Sequence, residues 1–158
     1  ALILYSFMML GFGNEIRHCR KAAQGCENRM KMFAGWMCDA GSQFRVDPFL
    51  LASIAYVESG LDPFRVGKIG ELSIMQIHPR SAWGSPKMEN SCRSATGACQ
   101  KPFIFKGAEI LKSGIDVCRR HTERAIGYYN TGKCVTNRYS RNVMRVRRRM
   151  LRAGKQRR

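Results

Sequence analysis

Asp47-Pro48-Phe49-Leu50-Leu51-Ala52-Ser53-Ile54-Ala55-Tyr56-Val57-Glu58-Ser59-Gly60 carries its own start and stop signals for a helix. Asp47 is a side-chain acceptor suited to an N-cap, Pro48 fits the first helical position, and Gly60 supplies a left-handed stop. Steps of three and four set Leu51, Ile54, Ala55 and Glu58 on one face, so a carboxyl occupies the stripe that should be buried. Loss of water disfavours the charged form and would raise such a pKa from about 4.3 to about 6, a range suited to a general acid. The bland alternative is a solvated glutamate on a fraying helix end, and Glu58 alone does not separate the two.

The rest of the chain reads as all-α. A helix is predicted from about Glu27 to Ala40, with Met30, Phe33, Ala34, Met37 and Cys38 facing inward and Gly41 as its stop. Leu61 to Ser73 reads as irregular and Leu72 to Ile77 as a short apolar stretch, with at most a small hairpin near Ile69 to Ile74. A polar, Cys-containing loop spans Ser81 to Pro102. A long helix follows from about Phe103 to Arg119, with Ala108, Leu111, Ile115 and Cys118 on one side, then a shorter one ending at Tyr128-Tyr129-Asn130. Gly127, Gly132 and Lys133 match the spacing of a phosphate-binding loop. Cys134 replaces the magnesium-holding hydroxyl and no hydrophobic strand precedes Gly127, so the motif fails its context.

At 158 residues, 44% hydrophobic and 25% charged, the chain is expected to form one globular domain. Its 28 Lys and Arg against 11 Asp and Glu give a formal charge of +17, which favours polyanionic partners. Ten of those 28 basic residues fall in the last 21 positions, Arg138 to Arg158. Val143, Val146, Met150 and Leu151 predict a basic amphipathic helix there, ending near Gly154; residues 141–158 are expected to act as a solvated basic tail drawn to acidic surfaces. A nucleic-acid arm is the alternative, but Tyr139 is the segment's only aromatic, so no specific nucleic acid is expected. Residues 1–20 open on an apolar stretch, Ala1 to Phe12, that is too short to cross a bilayer. A leader remnant and a helix docked on the core both fit it.

Seven cysteines, at 19, 26, 38, 92, 99, 118 and 134, point to an oxidising compartment with up to three bridges and one thiol over. Cys92 with Cys99 would close a polar loop, and Cys118 with Cys134 would pin the ends of the helix around Thr122 to Asn130. A zinc set of Cys92, Cys99, Cys118 and His121 lacks the paired Cys-x-x-Cys knuckles of such sites, and no metal or other cofactor is expected.

Three blocks in order resemble a known family. Glu58-Ser59-Gly60 with Asp62-Pro63 is similar to the glutamate-serine signature of soluble lytic transglycosylases, the lysozyme-like enzymes that cut peptidoglycan. Gly70-Glu71-Leu72-Ser73-Ile74-Met75-Gln76-Ile77, starting twelve residues beyond Glu58, is similar to the family's Gly-Ala-x-Gly-Leu-Met-Gln-Ile block, and Tyr129-Asn130-Thr131-Gly132 to its Tyr-Asn-Ala-Gly motif. Ser73 departs from a usual Gly and Glu71 from a common Ala.

The resemblance implies a single all-α, lysozyme-like domain over residues 21–140 that acts on peptidoglycan glycan strands in the periplasm, outside the cell or on a virion. A phage or secretion assembly is an implied further partner, and the basic segment implies contact with anionic cell-envelope polymers. Cleavage of the β-1,4 bond between N-acetylmuramic acid and N-acetylglucosamine would leave 1,6-anhydro ends, with Glu58 as acid and then base. Ordinary glycosidases need two carboxylates; only Asp62 and Glu71 lie close enough in sequence to serve as the second, and a transglycosylase needs none. Ser59 would bond near Glu58 or to substrate, Met75 would line the groove or pack in the core, and Gln76 would bond an N-acetyl group. Tyr129 would stack on sugar and orient the acid, Asn130 would bind substrate or tie a helix end, and His78 would face solvent. A hydrolytic lysozyme of the same fold is the first alternative, and a basic structural or nucleic-acid-binding virion protein the second.

Overall fold

The computed structural model describes residues 1–12, 15–16, 19, 25–84 and 100–155. Among them are six helices: α1 (Leu2–Phe12), α2 (Cys26–Phe44), α3 (Pro48–Ser59), α4 (Gln100–Val117), α5 (Thr122–Thr131) and α6 (Arg138–Lys155). The fold is all-α and lysozyme-like. In place of a hairpin near Ile69 to Ile74 there is one antiparallel bridge, Leu72 with Ile77.

α3 begins and ends as its sequence dictates. Asp47 Oδ1 accepts from Phe49 N at 2.9 Å, and Gly60 (φ 67) closes the helix with its N–H on Tyr56 O. The helix is buried on more than one stripe: Leu50, Leu51, Ala52, Ser53, Ile54 and Ala55 are all inside, because α3 packs against α1, α2, α4 and α6. Burial of Leu50, Leu51 and Ile54 contributes about 1.5–3 kcal/mol each, so the helix that carries Glu58 is also the centre of the core.

α2 buries Met30, Phe33, Ala34, Met37 and Ala40, while Cys38 is only half-buried and stays a free thiol. Gly41 is not its stop. The helix runs one turn further and ends at Arg45 (φ 55), whose N–H reaches Gly41 O. Gly41 is needed for a different reason: a Cβ there would meet Val46 O at 2.9 Å and crowd Pro48.

The basic segment is not a solvated tail through residue 155. α6 packs on α1, α3 and α5, burying Ser140, Val143, Val146 and Met150 and turning its arginines outward. Asn137 caps it, accepting from Ser140 N at 2.8 Å, and Arg152 and Lys155 in the last turn complement the negative end of the helix dipole. Arg147 bonds Asp47 Oδ2 through Nε at 2.7 Å and Nη2 at 2.6 Å, so one carboxylate caps α3 and fastens α6 to it. α1 docks on α6 and α2 and buries Leu4, Met8 and Phe12, the second of the two readings its composition allowed.

Cys118 and Cys134 are bridged across α5, and Cys19 is bridged to Cys26, the first residue of α2. By the chain-entropy account a 16-residue loop such as the first contributes about 3 kcal/mol. Cys118 is thereby unavailable to zinc, and His121 Nδ1 accepts from Arg124 N to cap α5. Cys92 and Cys99 lie outside the described residues.

The glycines of the failed phosphate-loop motif serve α5. Gly132 (φ 70) ends it, and Gly127 lies where the carbonyl of Val135 presses against the helix, leaving no room for a Cβ. Gly127→Ala is therefore expected to destabilise the domain by about 2–3 kcal/mol, seen as a melting temperature lowered by about 5–10 °C; an unchanged melting temperature would refute this packing.

Candidate active site

Glu58 stands on the last turn of α3, where the helix meets the loop from Leu61 to Ile77 and the facing helices α5 and α6. With Arg65, Gly67, Lys68, Glu71, Gln76, Tyr129 and Asn130 it lines an open cavity of about 380 Å³. Two further recesses of about 620 Å³ each adjoin it, one sharing Arg65 and the other sharing Asn130. The three recesses are linked through these shared residues.

The Glu58 side chain is half-buried, but its carboxyl is held away from water. Desolvation pushes its pKa up to about 7, and the nearby charge of Glu71 adds to the rise. The hydroxyl of Tyr139 opposes it, donating to Glu58 Oε1 at 2.5 Å. Burial and the neighbouring Glu58 raise the pKa of Tyr139 well above its ordinary value, so the phenol keeps its proton and remains a donor.

Tyr139 was not legible as a site residue, because it sits among the arginines of the basic segment. A signal was present nonetheless: Tyr139, Val143, Val146 and Met150 follow one another by steps of four, three and four, which extends the buried stripe of α6 back to the groove. The role expected of Tyr129 is divided between the two tyrosines. Tyr129 lines the cavity, but its hydroxyl donates to Met75 O at 3.0 Å rather than to the acid.

The Gly70 to Ile77 block is a scaffold tied at each end. Ser73 adopts φ 72 and Gln76 φ 48, left-handed values that explain why a glycine is natural at the first. Ser73 offsets the strain by accepting from Met75 N at 3.0 Å through Oγ. Gln100, wholly buried at the start of α4, accepts from Ile74 N at 2.9 Å and donates to Pro63 O at 3.1 Å. Gln100 lay in a stretch read as loop.

Met75 does not line the groove; it is fully buried with its side chain against Gly107, the packing alternative. Ser59 is also inside, with Oγ within 2.9 Å of Ala55 O and 3.0 Å of Ile74 O, so its hydroxyl serves the backbone rather than Glu58. Gln76 donates through Nε2 to Arg65 O at 3.0 Å and Ser73 O at 2.8 Å, which leaves its carbonyl oxygen as the group open to a ligand. Asn130 is exposed on the cavity rim. His78 does not face solvent freely: Nε2 lies 2.9 Å from Ile69 O and Nδ1 accepts from Arg80 N at 3.1 Å.

Of the two tempting second carboxylates, Asp62 accepts from Phe64 N at 2.9 Å and lines the neighbouring recess. Glu71 shares the cavity with Glu58 while accepting from Ile69 N at 3.1 Å and folding over Gly67. Among the described residues no cluster of His, Cys, Asp and Glu is arranged to hold a metal. An apolar recess of about 540 Å³ along α1 carries neither a carboxyl nor a cation.

The fold and the cavity together define an all-α, lysozyme-like domain with a desolvated carboxyl opening onto its surface. The chain belongs to the transglycosylase SLT domain family, whose sequence model matches residues 37–151, and is accordingly a transglycosylase-type enzyme acting on peptidoglycan. That match runs through α6 to Leu151, as the packing does. Neither a curated protein nor a solved structure matches the chain. No helix among the described residues is long and apolar enough to cross a membrane, and the disulfides and the substrate fit action outside the cytoplasm.

Proposed function

We propose that the enzyme is a lytic transglycosylase in which Glu58 cleaves the β-1,4 bond between N-acetylmuramic acid and N-acetylglucosamine and leaves a 1,6-anhydro end. The observation that carries this reading is a carboxyl with a pKa near 7 held by Tyr139 at the floor of the groove. Protonated, it delivers its proton to the leaving glycosidic oxygen. Ionised, it then takes the proton of the muramyl 6-hydroxyl as that oxygen closes on the anomeric carbon. One group completes both halves, so no water-activating partner is required.

Around it, the Gln76 carbonyl would accept from an acetamido N–H, the Tyr129 ring would stack on a sugar face, and Asn130 would bond substrate at the rim. Ser59 and Met75 support this site by position: Ser59 joins the Glu58 turn to Ile74, and the Met75 carbonyl fixes Tyr129. The cationic surface supports attraction to anionic envelope polymers, in the periplasm, outside the cell or as part of a phage or secretion assembly.

Mass analysis of digested peptidoglycan tests the reading. Anhydro ends are expected; ends carrying an added water would make the enzyme a hydrolytic lysozyme and would direct attention to Glu71 as its base. The pH profile of kcat gives a second check. Only the protonated acid starts the reaction, so kcat should fall as pH rises through about 7, with no acidic limb from a second carboxylate.

A further inference from the structure

α6 uses its arginines in two ways. Arg147 is paired with Asp47 and Arg149 with Glu15. Arg138 and Arg145 are exposed and have no carboxylate partner among the described residues, yet both face one recess of about 620 Å³. Its remaining polar lining is Asn130, Asn137, Asn142 and Tyr139, with no acidic side chain. The recess touches the cleavage cavity twice, since Asn130 lines both and Tyr139 bonds Glu58. The main cavity, by contrast, holds Glu58 and Glu71.

In an intact strand the lactyl carboxyl of each muramyl residue is taken up in the amide to its peptide stem, so the anionic groups of peptidoglycan next to the scissile bond are the carboxylates of that stem. Guanidinium forks match carboxylates in planar, two-bond geometry, and asparagine amides bond peptide groups with donor and acceptor alike. We infer that the recess between α5 and α6 is a peptide-stem subsite, in which Arg138 and Arg145 hold stem carboxylates and make the enzyme prefer strands whose stems carry free carboxylates. This rests on the proposed cleavage of peptidoglycan at Glu58.

The test compares kcat/KM on stem-bearing strands with that on the same strands after their stem carboxylates have been converted to neutral amides with a carbodiimide and ammonia. The native enzyme is expected to favour strands with free stem carboxylates by about tenfold, chiefly through KM, as two exposed charge-assisted contacts would provide. In Arg138→Gln/Arg145→Gln that ratio should fall to about one. Arg119→Gln/Arg120→Gln removes the same charge at the other end of α5 from Tyr129 and should leave the ratio intact. Equal rates of the native enzyme on both substrates would overturn the subsite while leaving the cleavage reading in place; no cleavage of either would overturn that reading itself. A ratio lowered equally by both double variants would replace the subsite with general attraction of the basic surface.

Discussion

Glu58→Gln is expected to lose turnover by at least about a thousandfold while folding normally and melting at a higher temperature than the native enzyme at pH 7. A general acid or base contributes about 10²–10⁴ in rate, and here one carboxyl would serve as both. Gln keeps the shape and still accepts the Tyr139 hydroxyl, so the loss would be chemical rather than structural.

The stability change follows from linkage. The folded pKa of Glu58 is raised to about 7, above the unfolded value of about 4.3, so the folded state binds the proton more tightly. Its stabilising share is complete below about pH 4.3, is lost as pH rises, and is gone above pH 7, at a cumulative cost of about 4 kcal/mol. Gln carries no such penalty. Thermal melts of both proteins from pH 4 to pH 8 should therefore converge at low pH and separate toward neutrality. Parallel melting curves, or undiminished lysis by the variant, would remove Glu58 from the site.

What could be read before folding was what is local. Asp47, Pro48 and Gly60 specify α3 by capping chemistry within a few residues, and the position of Glu58 follows from counting turns. The three blocks from Glu58 to Gly132 could be picked out for the same reason, each being a short local pattern, and their residues Glu58, Gln76, Tyr129 and Asn130 line one cavity. Closure of the groove by α6 was not legible in this way. It depends on Tyr139 meeting Glu58, and on Arg147 meeting Asp47, across 81 and 100 residues of chain, and the arginine content of the segment masked its buried stripe. Side-chain commitments were equally hidden. Ser59 and Met75 have the residue types of a binding site, yet their environment is decided by Ile74, Gly107 and Gln100, which come from other parts of the fold. The Cys19–Cys26 pairing lay in the same category, since spacing alone favours no partner for either cysteine.

Tyr139→Phe should separate positioning of the acid from mere packing. The ring that seals α6 against α3 is retained, and only the donor on Glu58 Oε1 is lost. That bond favours the ionised carboxyl and partly offsets desolvation, so its removal must move the pKa of Glu58 further upward. Hydrogen bonds to charged groups contribute about 1.5–3 kcal/mol, hence the alkaline limb of kcat is expected to shift up by about one pH unit. The carboxyl would also lose its fixed orientation, which should lower kcat by about tenfold at pH 6, where both enzymes are largely protonated. Tyr129→Phe provides the contrast. Its hydroxyl is committed to Met75 O, so that variant should loosen the Gly70 to Ile77 scaffold and raise KM more than it moves the limb. A limb that stays in place in Tyr139→Phe, or moves equally in Tyr129→Phe, would show that α6 does not tune the acid, and the closing helix would then be only a wall.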